Sequence, residues 1–290
     1  MKQFSYTFLV AMILLLGSSC KEVPPFIDYS EPILLAKDTT YVVQTLPSPQ
    51  PKNVLIEDIS GVRCVNCPDA AVTAHEIRDD HPGRVVVMTL HSWKFSGFTR
   101  PIADTFNTQV ATDIIDNLIG SPSGLPTGSV DRKTYTGKTD PLLPPPTWAS
   151  FVNDQLNEKS AVNLDLETIH KPGSRDVIVN VTATFLEEQT VNTHLSLFIT
   201  ESHIISPQKS DTAQTGQIDQ FEHNFILRAG ITSFSGLLLS NSIPAGTVYE
   251  KGIALEIPSK YDISNCSIVA IISHVDASGN DVLQVAESEI

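Results

Sequence analysis

Apolar residues along this chain fall into three regimes. Phe8 to Leu16 form an unbroken apolar block, too short to span a bilayer as a helix. Between residues 53 and 159, short apolar runs alternate with stretches of helical period. Val54 to Ile59 reads as a strand, and Cys67 to about Arg78 as a helix with Ala70, Ala74 and Ile77 on one face. Arg84 to Leu90 is an apolar run of the kind buried inside a parallel sheet. A second helix is predicted over about Ala103 to Leu118, with its stripe at Phe106, Val110, Ile114 and Leu118. Gly124 to Val130 is a turn leading into a strand. After Pro144-Pro145-Pro146, Thr147 is placed to cap a last helix carrying Trp148, Phe151, Val152 and Leu156.

From about residue 161 the period becomes two. Val162-Leu164-Leu166, Val177-Val179-Val181 and Leu195-Leu197-Ile199 alternate with polar partners. Further strands are predicted over Asn224 to Ile231, Val248 to Ile257, Ser267 to His274 and Val282 to Ala286. Asp276 to Asp281 reads as a hairpin loop between the last two, although Asp276, Ser278 and Asn280 also have calcium-loop spacing before the pattern breaks off. The pattern therefore predicts an α/β domain over 53–159 and an all-β, immunoglobulin-like sandwich of about seven strands over 160–290.

The apolar block has Lys2 before it and Gly17-Ser18-Ser19-Cys20 after it, which reads as an export signal over residues 1–19. A cysteine directly after small residues resembles a bacterial lipobox, with Gly17 where that motif usually carries leucine. The resemblance implies that Cys20 is lipidated, so that a lipid anchor holds the chain to a membrane without crossing it. Lys21-Glu22 follow, with no aspartate to signal retention at the inner membrane, so the outer membrane is expected. Residues 20–52, with Pro24, Pro25, Pro32, Pro47, Pro49 and Pro51, read as a semi-rigid tether, to which Thr40 to Val43 can add an edge strand.

Composition narrows the partners. The formal net charge is −14, and loss of Lys2 with residues 1–19 makes it −15. So acidic a chain is poorly suited to nucleic acid or an anionic bilayer surface. The serine-hydrolase elbow, the phosphate loop and the zinc-protease helix motif are all missing from the sequence.

The chemistry concentrates at Cys64-Val65-Asn66-Cys67, between a predicted strand and a predicted helix. A helix N-terminus favours the thiolate through its unpaired N–H groups and its dipole. Three readings stay open: a working thiol–disulfide exchange site, an inert structural disulfide, and a zinc site. Zinc needs about four ligands, and the nearby imidazoles, His75 and His91, read as helix-surface and loop residues. No cofactor is called for. Cys266 lies in a strand-like run and reads as an inert core cysteine.

Strand, Cys-x-x-Cys, helix, strand, helix, then Leu125-Pro126-Thr127 opening a strand: this order resembles the thioredoxin fold. The resemblance implies a cis bond before Pro126, with that proline lying against the disulfide. It makes Cys64 the attacking thiolate and Cys67 the resolving thiol. It also points to Asp58, six residues before Cys64, as a proton acceptor for Cys67. Strand alternation turns only one of Glu57 and Asp58 inward, so a solvent-facing Asp58 is the competing reading. The sequence departs from that fold's pattern in having Arg63 in place of the usual tryptophan and a long stretch from Leu90 to Ala103.

Glu57-Asp58-Ile59-Ser60-Gly61-Val62-Arg63-Cys64-Val65-Asn66-Cys67-Pro68 and Phe221-Glu222-His223-Asn224-Phe225-Ile226-Leu227-Arg228 resemble a narrower group. It is the Bacteroidetes lipoprotein family named after a 28-kilodalton outer-membrane protein, which joins a thioredoxin-like domain to a β-sandwich. That resemblance implies location and architecture more than an activity. Two functions are carried forward: exchange on exported proteins through Cys64 and Cys67, and a non-catalytic binding or assembly role in which the sandwich docks a partner. His223 and Asn224 are candidate binding residues, set against a simpler role in satisfying turn backbone groups.

Overall fold

The computed structural model describes residues 37–91, 106–277 and 279–290, all within one compact unit. The predicted signal, Cys20 and most of the Leu90-to-Ala103 stretch lie outside the described residues. The described chain is mostly β. A four-stranded sheet runs β1 (Asp38–Val42), β12 (Thr247–Glu256), β6 (Asp176–Phe185), β5 (Val162–His170). A larger sheet runs β14 (Val282–Glu289), β13 (Cys266–His274), β7 (Thr193–Glu201), β10 (Ile226–Gly230), β3 (Val85–His91), β2 (Val54–Ser60), β4 (Thr127–Val130). The short β11 (Leu237–Ser240) pairs with β7, and β8 (Ile204–Lys209) with β9 (Gln217–His223) makes a separate hairpin.

The large sheet crosses the expected boundary at 159/160. The crossing is narrow: β10 lies parallel to β3 at Ile226 opposite Thr89, and antiparallel to β7. On the N-terminal side β2 is parallel to β3 and antiparallel to β4. Helix α1 (Cys67–Asp80) and helix α3 (Trp148–Leu156) cover one face, packing Ala70, Ala74, Ile77, Trp148 and Val152 on Val54, Ile56, Val85 and Val87. Helix α2 (Gln109–Ile114), continued by one wider turn over Ile115–Ile119, covers the other. Its Ile114, Ile115 and Leu118 meet Leu55, Val86 and Met88, and the same cluster continues to Phe198, Val269 and Ile271.

That continuation changes the expected sandwich. Leu195, Leu197, Ile199, Ile268, Ala270 and Ile272 do face the four-stranded sheet, packing on Val162, Val179, Val181 and Phe185. Their alternate neighbours Ser196, Phe198, Val269 and Ile271 are equally buried, because the α/β half covers the second face. Strand β13 is apolar on both faces for that reason. The sandwich therefore shares its larger sheet with the α/β half; among the described residues of 160–290 there are ten strands, β5 to β14, rather than about seven, with β8 and β9 paired outside both sheets.

Local expectations are adjusted in three places. The second helix starts later, because the Thr108 hydroxyl accepts the Ala111 N–H at 3.1 Å and caps it there, while Phe106 has a positive φ of 57°. Thr147 does not cap the last helix through its side chain. Its hydroxyl instead donates to the Pro144 carbonyl at 2.9 Å, in a 3-10 turn over Pro145–Thr147. The end of the expected tether is built into the fold: β1 pairs with β12, the Gln50 N–H donates to Asn163, and Lys52 is buried.

Two buried ion pairs fix β4 against β2. Arg132 donates to the Glu57 carboxylate through Nε at 3.0 Å and Nη2 at 2.7 Å, and Ser129 adds a bond at 2.9 Å. Lys52 meets Asp131 at 2.7 Å, and Asp131 also accepts the Leu55 N–H at 2.8 Å. Removing one member of such a pair strands a charge in the interior, whereas removing both is far milder. Arg132→Met should therefore cost about 3–5 kcal/mol of unfolding free energy in urea. The Glu57→Gln/Arg132→Met double variant should recover at least half of that loss. A single-variant cost below ~1 kcal/mol would mean the pair does not hold β4 in place.

Candidate functional site

Strand β2 delivers the chain to the dithiol. After Ser60 the backbone turns, with the Cys64 N–H donating to Gly61 O at 2.9 Å, and α1 begins at Cys67 with Pro68 in its first turn. Proline suits that position because its missing N–H would have no partner inside the helix. Cys64 and Cys67 form a disulfide. The two sulfurs sit in different surroundings: Cys64 is half-buried, Cys67 is 2% exposed.

On the Cys64 side lies an open groove of about 320 Å3 lined by Arg63, Cys64, Val65, Asn66 and Leu125. The Leu125–Pro126 bond is cis, and Thr127 opens β4 directly after it. The register places Thr127 opposite Ile59 and Gly128 opposite Asp58, so β4 enters the sheet beside the strand that leads to the dithiol. An added Cβ at Gly128 would sit 2.7 Å from the Trp148 ring, a spacing that only glycine allows.

On the Cys67 side is a small cavity of about 20 Å3, to which Asp58, Cys67, Thr89, His91, Gln208 and His223 contribute. Here the sequence expectations are corrected. Glu57 and Asp58 are both fully buried, since β2 is covered on both faces and alternation sends one carboxylate into each layer. A solvent-facing Asp58 is thereby ruled out. Neither Asp58 oxygen has a hydrogen-bond partner among the described residues. Burial pushes its pKa up from the ordinary carboxylate range to about 7. His91 is a buried residue at the end of β3, not a loop residue, and its ring contacts Phe106 at 5.4 Å.

Sequence reasoning missed the β8–β9 hairpin and with it Gln208. This buried amide donates to Cys64 O at 2.9 Å and Gly61 O at 3.2 Å, while the Lys209 N–H donates to Val62 O at 2.9 Å. The hairpin thus grips the turn that carries Cys64. The only apolar signal was Ile204-Ile205; Pro207 interrupts that strand, and Gln217 to His223 lacks a period-two apolar pattern.

His223 and Asn224 separate in role. His223 is 3% exposed and lines the cavity behind Cys67. Asn224 serves the turn: its side chain accepts the His203 N–H at 2.8 Å, and its carbonyl accepts the Thr89 hydroxyl at 3.2 Å. Phe225 lies under the Arg78 guanidinium at 4.2 Å and against His75 at 4.8 Å. Cys266 is remote from the disulfide chemistry. It is buried, and burial with Glu201 nearby pushes its thiol up to about 12.

Residues 114–290 match the model of the family described as outer membrane protein Omp28. The chain belongs to the Omp28 family. Membership places this Omp28 protein at the outer membrane; no helix among the described residues is long and apolar enough to cross one. Among solved structures, HBP35 of Porphyromonas gingivalis is similar with a TM-score of 0.64 at 16% identity, covering 83% of this chain and 76% of that one. A domain of the outer membrane lipoprotein Omp28 from the same organism gives a TM-score of 0.29 at 17% identity, covering 45% of this chain and 88% of that one. None of the curated proteins matches.

Asp58 supplies a pH prediction. Its folded pKa lies above its unfolded value, so its stabilising contribution is complete below about pH 4 and is lost as pH rises through about 7. Asp58→Asn, neutral at every pH, should match the wild type near pH 4 and exceed it at pH 8 by about 2–4 kcal/mol in chemical denaturation. Equal stabilities at pH 8 would mean that Asp58 ionises without penalty.

Proposed function

We propose that this Omp28-family protein is an outer-membrane lipoprotein, anchored by lipid on Cys20, that exchanges disulfides with exported proteins through a thioredoxin-like unit over residues 53–159. The observation that carries the reading is the asymmetry of the disulfide. Cys64 borders an open groove that Leu125 also lines, and Cys67 faces a buried carboxyl. The order β3-β2-β4, with helices on both faces, supports the thioredoxin-like reading.

In this reading a thiolate of an exported protein attacks Cys64 Sγ. A sulfur–sulfur bond forms to the partner, the Cys64–Cys67 bond breaks, and Cys67 leaves with the electron pair and takes the Asp58 proton. Running in reverse, Asp58 accepts the Cys67 proton and the Cys67 thiolate displaces the partner from Cys64. Residues 160–290 brace the site through β8 and β9. The alternative, an inert staple in a binding lipoprotein, draws its support from the Gln208 and Lys209 bonds that fasten the Cys64 turn.

Equilibration of the mature chain with glutathione buffers separates the two. A potential between about −120 and −270 mV, with a mixed disulfide trapped on Cys64 by Cys67→Ala, is expected for exchange. A potential below about −300 mV with no trapped species would mean a staple. Cys20→Ser should release the protein from the membrane fraction into the soluble envelope fraction; retention would remove the lipid anchor from the account.

A further inference from the structure

The cavity behind Cys67 is closed by the C-terminal half of the chain. Gln208 comes from β8, His223 from β9, and Asn224 from the turn after it, while Asp58, Cys67 and His91 come from β2, α1 and β3. A volume of about 20 Å3 suffices for one water molecule where polar partners converge, as they do here. A single bridging water is an effective hydrogen-bond link between groups too far apart for a direct bond.

We infer that His223 is a positioning residue for the exchange reaction: through one bridging water its imidazole N–H donates toward the Asp58 carboxylate and holds the ionised form that accepts the Cys67 proton. The inference rests on the exchange reading given above. It adds a group from the β9 strand to the proton-handling side of the disulfide. Without such a donor, an ionised Asp58 would stand in the interior with no compensating hydrogen bond, a costly state.

The surroundings make His223 the suitable donor. Its ring is held by Phe221 at 4.9 Å and Phe106 at 4.7 Å, so it is fixed on two sides by aromatic contacts. The titratable groups facing the cavity are Asp58 from β2, Cys67 from α1, His91 from β3 and His223 from β9; β8 contributes the neutral Gln208 and β10 the apolar Ile226. His91 lies 6.3 Å from His223, ring centre to ring centre. The Phe106 ring that contacts His223 also carries Arg228 at 5.4 Å, and Arg228 is paired with Glu201 at 3.1 Å.

The test is the pH profile of mixed-disulfide resolution in the full chain, using a small aromatic disulfide to load Cys64 and following release of its thiol. The wild type should show a rise in rate centred near pH 7, the ionisation of Asp58. His223→Leu should move that midpoint up by about one pH unit and slow resolution at pH 7 about fivefold. His223→Gln, which keeps an N–H donor, should restore most of the rate. A purely structural role would change folding without moving the midpoint. An unmoved midpoint in folded His223→Leu would overturn the inference and leave the exchange reading standing. Should the wild type form no mixed disulfide, the exchange reading fails first. Carboxyl-carbon NMR of Asp58 in the oxidised chain then decides the Asp58–His223 link: a higher midpoint in His223→Leu supports it, an identical one overturns it.

Discussion

Strand β2 is buried on both faces, and it carries two adjacent carboxylates. Everything at the candidate site depends on how the fold treats them. Glu57 points, with Leu55 and Ile59, into the layer of α2, where Arg132 and Ser129 satisfy it. That network belongs to β4 and the turn after it, so the pairing also sets where Leu125, Pro126 and Thr127 run. Asp58 points into the layer of α1, beside Cys67, and receives no compensating charge, and it is therefore held protonated well into the neutral range. One strand thus positions the groove on the Cys64 side and the buried carboxyl on the Cys67 side.

The second constraint is the narrow joint between the two halves. A single parallel contact, Ile226 with Thr89, links the strands. Side chains do much of the remaining fastening. The segment Phe221 to Arg228 supplies three of these contacts: His223 on the cavity, Asn224 on Thr89, and Phe225 between His75 and Arg78. This accounts physically for why a motif so far from the dithiol in sequence accompanies it. The β-rich half is a wall of the site, and its β8 strand grips the turn that presents Cys64.

Much of this was legible in sequence. The apolar runs at Val54 and Val85 and the helical spacing of Ala70, Ala74 and Ile77 gave the strand–helix–strand unit around the dithiol, because those signals are local and strong. Alternation misjudged Glu57 and Asp58, since it presumes one wet face, and β2 has none. The same presumption hid the shared sheet: Leu195, Leu197 and Ile199 looked like one face of a self-contained sandwich, yet Ser196 and Phe198 are buried against the α/β half. Gln208 was missed, and His91 was noticed but misplaced on a loop. Their importance comes from contacts that close over long sequence distances, Gln208 with Cys64 and His91 with His223, and no local pattern encodes these.

The central claim is that the two cysteines face different environments and so do different chemistry. The most direct measurement is the alkylation rate of each thiol in the reduced full chain, resolved by peptide mass spectrometry across pH 5 to 9. The account predicts that Cys64 reacts at least ten times faster than Cys67 throughout, and that Cys67 becomes modified at an appreciable rate only when the protein is unfolded. Equal rates at the two positions, or faster modification of Cys67, would contradict it.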